Sequence, residues 1–99
     1  MIESLEGINK AFESKIRLGI MSVLMVNDEI DFNSLKKLLD LTDGNLASHT
    51  RALENLEYIT VNKQFVGRKP RTSFVRTGKG EKAFREHLEA LESFLKNNR

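Results

Sequence analysis

Six cations, Lys63, Arg68, Lys69, Arg71, Arg76 and Lys79, fall between Tyr58 and Gly80, and no acid lies among them. The whole chain has a formal charge of only +2, so the remaining residues hold ten Lys/Arg against fourteen Asp/Glu and are net acidic. Such segregation of guanidinium and ammonium groups is the footprint of a polyanion contact rather than of charge spread for solubility. Within the stretch, Gly67-Arg68-Lys69-Pro70-Arg71 reads as a hairpin tip. Gly turns the chain and Pro stiffens it, so Arg68, Lys69 and Arg71 project on a narrow protrusion that suits phosphates or a minor groove. A second set precedes it: Asn45 and Ser48 are short polar groups that permit close approach to a groove, and Arg51 can reach a phosphate or, bidentate, a guanine edge. His49 falls at the edge of the same face. An ordinary solvated helix followed by a charged loop would carry similar residues, and the weight comes from the two sets lying next to each other in the chain.

Other chemistries find little support. Ser48 and His49 are adjacent, but successive helical residues point about 100° apart, and no further His or Cys is near in sequence to complete a nucleophilic site. With no cysteine and only two histidines, disulfides, thiolate metal sites and cysteine nucleophiles are excluded, and neither a metal nor a cofactor is expected. The reading is therefore of a protein that is not an enzyme. His87, among the charges of the last helical segment, is expected at a surface or an interface.

These residues need elements to position them. Phe12, Ile16, Ile20, Val23 and Leu24 recur at three- and four-residue steps and predict an amphipathic helix from Phe12 to Val26. Ile30-Asp31-Phe32 reads as a short extended bridge, with Asp31 or Asn33 capping a helix through Leu35, Leu38, Leu39 and Asp40. Thr42 is placed to cap a third helix that buries Leu46, Thr50, Leu53 and Leu56 and leaves Asn45, Ser48, His49 and Arg51 outward or at its edge. Tyr58-Ile59-Thr60-Val61 begins a strand, Val66 to Arg71 forms the turn, and Thr72 to Arg76 returns. Among the aromatics near the cations, Tyr58, Phe65 and Phe74 alternate as core residues do, which argues against base stacking and so against RNA. Thr77 caps a last helix with Phe84, Leu88, Leu91 and Leu95 in a heptad-like stripe, its exposed faces carrying Lys82 with Glu86, Arg85 with Glu89 and Glu92 with Lys96.

A chain of 99 residues with 39% hydrophobic content has room for one modest core and is read as a single domain over 1–99. It holds no run of about 18 apolar residues and nothing like a signal peptide, so a cytoplasmic location without membrane contact is expected. A core this thin gains from a second subunit, and the Phe84, Leu88, Leu91, Leu95 stripe, with Leu5 and Ile8 from the other end of the chain, forms the expected dimer interface.

Four segments together carry a resemblance: Leu41-Thr42-Asp43-Gly44-Asn45-Leu46-Ala47-Ser48-His49, Leu53-Glu54-Asn55-Leu56-Glu57-Tyr58-Ile59, Gly67-Arg68-Lys69-Pro70-Arg71-Thr72 and Thr77-Gly78-Lys79-Gly80. In this order, over roughly residues 12 to 95, the chain resembles the winged helix-turn-helix transcriptional regulators of the MarR and ArsR type, and above all their minimal single-domain relatives. The resemblance implies a mainly α fold with a small β-hairpin (α+β), in which N- and C-terminal helices pair two copies into a homodimer that binds double-stranded DNA. It makes Asp43 to Leu56 the recognition helix and Val66 to Arg71 the wing tip, with Asn45, Ser48, His49 and Arg51 facing the groove and Arg68, Lys69 and Arg71 on the wing. The sequence departs from the family pattern twice. Glu57 stands where a glycine usually ends the recognition helix in a left-handed conformation, and Thr50 stands where a leucine usually packs. The cysteine clusters of metal-sensing ArsR proteins are absent, and no effector is indicated. The rival reading is a winged helix that serves as a protein-interaction module, its basic wing binding an acidic partner.

Overall fold

Short polar side chains set where each helix begins. In the computed structural model, which describes residues 7–97, Asn9 accepts from the Ala11 amide at 2.9 Å and starts a 3-10 turn, Lys10–Glu13. Ser14 then accepts from the Arg17 amide at 3.3 Å and opens α1, Lys15–Val26. Ser14 itself is extended, at φ −77 and ψ 123. Phe12 therefore sits on the separate turn and not on α1, although the helical period runs through both. Asn27 ends α1 in extended backbone, and β1, Ile30–Asp31, follows.

Asp31 accepts from the Ser34 amide at 3.1 Å and from its hydroxyl at 2.6 Å. That cap starts α2, Phe32–Leu39, three residues earlier than the apolar spacing alone indicates. Asp40 closes α2 in the left-handed region at φ 53. Thr42 accepts from the Asn45 amide at 3.2 Å and opens α3, Asp43–Asn55, while Lys36 of α2 reaches Asp43 at 2.8 Å across the turn. The cation meets a carboxylate that already favours the helix N-terminus, a modest link between the two helices because Asp43 is exposed.

After α3 come β2, Ile59–Val66, and β3, Lys69–Arg76, paired antiparallel from Ile59↔Arg76 to Val66↔Lys69. The strands are longer than the sequence suggests, and the tip shrinks to the two residues Gly67 and Arg68. Gly67 takes φ 66 at the first central position, the hairpin geometry that suits the right-handed twist of the strands. β1 pairs with β3 at Ile30↔Phe74, completing a sheet of order β1-β3-β2. Thr77 accepts from the Gly80 amide at 2.9 Å and opens α4, Gly78–Asn97.

The core lies between α1, α2, α3 and the base of the sheet: Ile20, Met21, Leu24, Leu35, Leu46, Leu53, Ile59 and Phe74 are buried. Phe12 and Phe84 extend it toward α4, their rings edge to face at 5.3 Å. Leu46 and Leu53 each contribute about 1.5–3 kcal/mol by burial. Anchoring α3 on these two residues fixes which of its faces looks outward. Leu56, expected in that face, is the cap residue of α3 and is exposed. Among the described residues no helix is long and apolar enough to cross a membrane.

Candidate nucleic-acid interface

With Leu46, Thr50 and Leu53 turned inward, Asn45, Ser48 and Arg51 are exposed on the opposite side of α3. Thr50 does not leave a polar gap in the core, because its hydroxyl donates back to the Leu46 carbonyl at 2.8 Å. His49 is half-buried at the helix edge, and its Nδ1 lies 3.2 Å from Nη1 of Arg17 on α1. A guanidinium only donates, so Nδ1 accepts and the ring is neutral with its proton on Nε2. Burial first, and the Arg17 charge second, hold the His49 pKa below its ordinary value. Arg17 also donates from Nε to the Ala11 carbonyl at 2.6 Å, tying α3 to the turn before α1. Nothing in the sequence signalled this contact, which joins residues 32 positions apart.

The wing rises beside α3 and encloses with it a groove of about 480 Å³. Arg51 and Glu54 line one wall, Val61, Lys63 and Thr72 the other. The six cations of the basic stretch divide here. Arg76 is structural: Nη1 donates to the Leu24 carbonyl at 2.7 Å and Nε faces Glu81 at 3.3 Å. Lys79 lies 3.7 Å from Glu57. Arg71 stands back from the tip, opposite Gln64, with Asp31 at 3.9 Å. Glu29 adds a second acid near it. The Ser73 hydroxyl donates to Glu29 at 2.6 Å, and bonds from Ser73 and Asn62, with a lesser contribution from Arg71, hold its carboxyl below the usual range. These acids come from β1 and the residue before it and are invisible when the hairpin is read alone. Lys63, Arg68 and Lys69 are exposed and have no ion pair among the described residues. Lys63, counted in the charge of the stretch but not singled out for contact, thus joins the tip cations.

Phe65 corrects the sequence reading. It is 74% exposed near the wing tip, although the sequence placed it with Tyr58 and Phe74 among alternating core residues. The period is maintained, but the strand has run past the edge of the body and no core remains beneath it.

The expected dimer residues also separate. Phe84 is 4% exposed and belongs to the protomer's own core, packed on Phe12. Three residues on, His87 is likewise buried, at 3%, rather than at a surface, with Nδ1 accepting from the Asn9 amide at 3.0 Å. Leu88 and Leu95 stay 46% and 66% exposed on one flank of α4, while Leu91 and Ile8 are half-buried. Leu5 lies outside the described residues. Of the three opposite-charge pairs expected on α4, Glu92 and Lys96 meet at 2.7 Å, whereas Arg85 turns back to Glu81 at 3.6 Å.

The profile of the winged helix DNA-binding domain family matches residues 16–95. An uncharacterized protein of Methanocaldococcus jannaschii is 33% identical over 88 residues, which span 89% of this chain and 96% of that protein. The transcriptional regulator homologue protein from Pyrococcus horikoshii OT3 superposes with a TM-score of 0.81 at 32% identity, over 88% of this chain and 86% of that one. The YusO protein from Bacillus subtilis superposes with a TM-score of 0.79 over 94% of this chain and 65% of that one, a likeness of fold at 15% identity. The Pyrococcus horikoshii protein is a transcriptional regulator homologue, in line with the resemblance carried by the four sequence segments. The helix-turn-helix of α2 and α3, the β2–β3 wing and the matched profile agree: the chain belongs to the winged helix DNA-binding domain family of transcriptional regulators.

Proposed function

We propose that this protein is a cytoplasmic, homodimeric transcriptional regulator that binds duplex DNA with α3 in the major groove and the wing on the backbone or the adjacent minor groove. One observation supports this above the others. Arg51 of α3 and Lys63 of the wing line opposite walls of one groove, while Asn45 and Ser48 are exposed elsewhere on α3 and Arg68 and Lys69 at the wing tip, the three wing cations without an ion pair among the described residues. Asn45 and Ser48 would read base edges, and Arg51 and the wing cations would hold phosphates on either side. His49, with its Nδ1 occupied by Arg17, offers only Nε2–H outward and would serve as a phosphate or base-edge donor. Arg71, drawn toward Asp31, contributes less than the tip.

The test is the salt dependence of binding to duplex DNA. On α3 and the wing, Arg51, Lys63, Arg68 and Lys69 are four exposed cations with no ion pair among the described residues, and a dimer that seats all of them on phosphates gives a slope of log K against log salt of about −7. A slope near zero on any duplex overturns the reading. Selection from random duplexes then reports whether the preferred site is pseudo-palindromic, as a two-fold dimer requires.

A further inference from the structure

Phe65 and Pro70 face each other across the wing, one from each strand, in the last pair but one before the tip. Cross-strand neighbours of this kind share one side of a sheet. By the two-residue period, that side also carries Val61, Lys63, Thr72 and Phe74, all of which line the groove beside α3. The Phe65 ring is therefore exposed on the side of the wing that looks toward the recognition helix. Single exposed apolar residues are ordinary on protein surfaces. This one differs in its surroundings, because Lys63, Arg68 and Lys69 bracket it and no acid occurs in the hairpin. A polyanion is the partner that this charge selects, and a phenyl ring has nothing to offer its phosphates.

We infer that Phe65 is a wedge: as the wing cations seat on the phosphates of duplex DNA, the Phe65 ring, backed by Pro70, enters the minor groove and wedges against a base step. Apolar side chains delivered to the minor groove in this way partly unstack a step and bend the duplex by about 20–90°. Pyrimidine–purine steps yield most readily, so the ring adds a preference for duplexes with a flexible TA step where the wing lands. This would be specificity without a hydrogen bond, separate from base reading by α3. The inference rests on the proposed DNA-binding function and adds a contact that hydrogen-bonding and charged residues do not supply.

The experiment compares the parent, Phe65→Ala and Phe65→Trp on a duplex of about 30 base pairs with TA steps at both wing positions, end-labelled for energy transfer. The chain contains no tryptophan, so Phe65→Trp carries a single reporter at the wedge. The expected result has three parts. The parent binds and shortens the end-to-end distance. Phe65→Ala keeps the parent's melting temperature and salt slope but binds about tenfold more weakly and leaves the duplex straighter. Phe65→Trp emission is quenched by stacking when duplex is added. Equal affinity and bending for parent and Phe65→Ala, or Phe65→Trp emission unchanged at saturating duplex, overturns the wedge while leaving DNA binding intact. A Phe65→Ala protein whose oligomeric state differs from the parent's also overturns it, since the ring would then cover a second copy. If the parent binds no duplex at all, the proposed function fails and the wedge fails with it.

Discussion

His87 shows how far a single residue can depart from the sequence around it. Its neighbours Glu86, Leu88 and Glu89 are exposed, and the sequence places it at a surface. The fold buries it against Phe12, ring centroids 5.3 Å apart, where Nδ1 takes the Asn9 N–H and Asn9 in turn donates to the Tyr58 hydroxyl at 2.9 Å. None of these partners is within helical reach of His87 in sequence, so periodicity could not reveal them. The bond requires a neutral ring, and burial lowers the His87 pKa. The unfolded chain therefore takes up a proton, near pH 6.5, before the native state does. Stability from this group is full above that value and is lost as pH falls through it toward the lower native pKa. Half-buried His49 acts with the same sign. The lowered carboxyls of Glu29 and Asp31 lose their contribution in a separate window, as pH falls through about 4 and below. The parent's melting temperature should drop between about pH 7 and pH 5.5, and His87→Asn, whose Oδ1 can take the Asn9 N–H at any pH in that range, should reduce the slope. Parallel pH profiles for the two proteins would refute the buried neutral imidazole.

At the scale of elements, the helix starts after α1 were legible, and the wing was legible as a hairpin but not in the length of its strands. Asp31, Thr42 and Thr77 act within three residues of themselves, and each caps the helix that its position in the sequence indicated. The outer wing has no core to alternate against, so Lys63, Gln64, Phe65 and Val66 carry little strand signal and only the register shows that pairing continues to Val66↔Lys69. The end of α3 lies between these cases. Glu57 adopts φ 63, the left-handed conformation for which glycine is usual, and the Thr77 hydroxyl donates to its carbonyl at 2.6 Å. The fold keeps the geometry without the residue that makes it easy. Glu57→Gly should relieve steric strain of about 1–2 kcal/mol, partly offset by added freedom in the unfolded chain, for a net gain of up to about 1 kcal/mol in chemical denaturation. Its ion pair with Lys79, exposed on both sides, offsets little of this. Gly80→Ala should act the other way. A Cβ there runs into the Tyr58 carbonyl oxygen, and both sides are held: Tyr58 by the Thr77 amide donating to that same carbonyl at 3.0 Å, α4 by its cap. A loss of about 1–3 kcal/mol is expected in the same denaturation series; an unchanged midpoint would mean that α4 does not approach the wing base as closely as described.

At the scale of the molecule, the protomer is longer than an ordinary domain of its size. Its radius of gyration is 15.2 Å and its longest dimension 59 Å, against about 13 Å for the radius of an ordinary domain of 100 residues. α4 accounts for much of that length, running about 30 Å with Leu88 and Leu95 exposed on one flank. The heptad-like stripe hid two different jobs, because Phe84 belongs to the protomer's core while Leu88 and Leu95 are available to a second copy. That division makes a clean test of the proposed dimer. Leu88→Glu with Leu95→Glu leaves the core untouched, so the variant should fold with the parent's circular dichroism and sediment as a monomer at tens of micromolar, where the parent sediments as a dimer. Phe84→Glu should instead unfold the chain, since it buries a charge against Phe12. A dimer spans half-sites about 34 Å apart, and a monomer reaches one of them. The folded double variant should therefore fall to half-site affinity, its salt slope shrinking from about −7 to about −4 as four of the eight phosphate contacts are lost. A double variant that stays dimeric, or a monomer that keeps the parent's slope, would move the interface off this flank of α4.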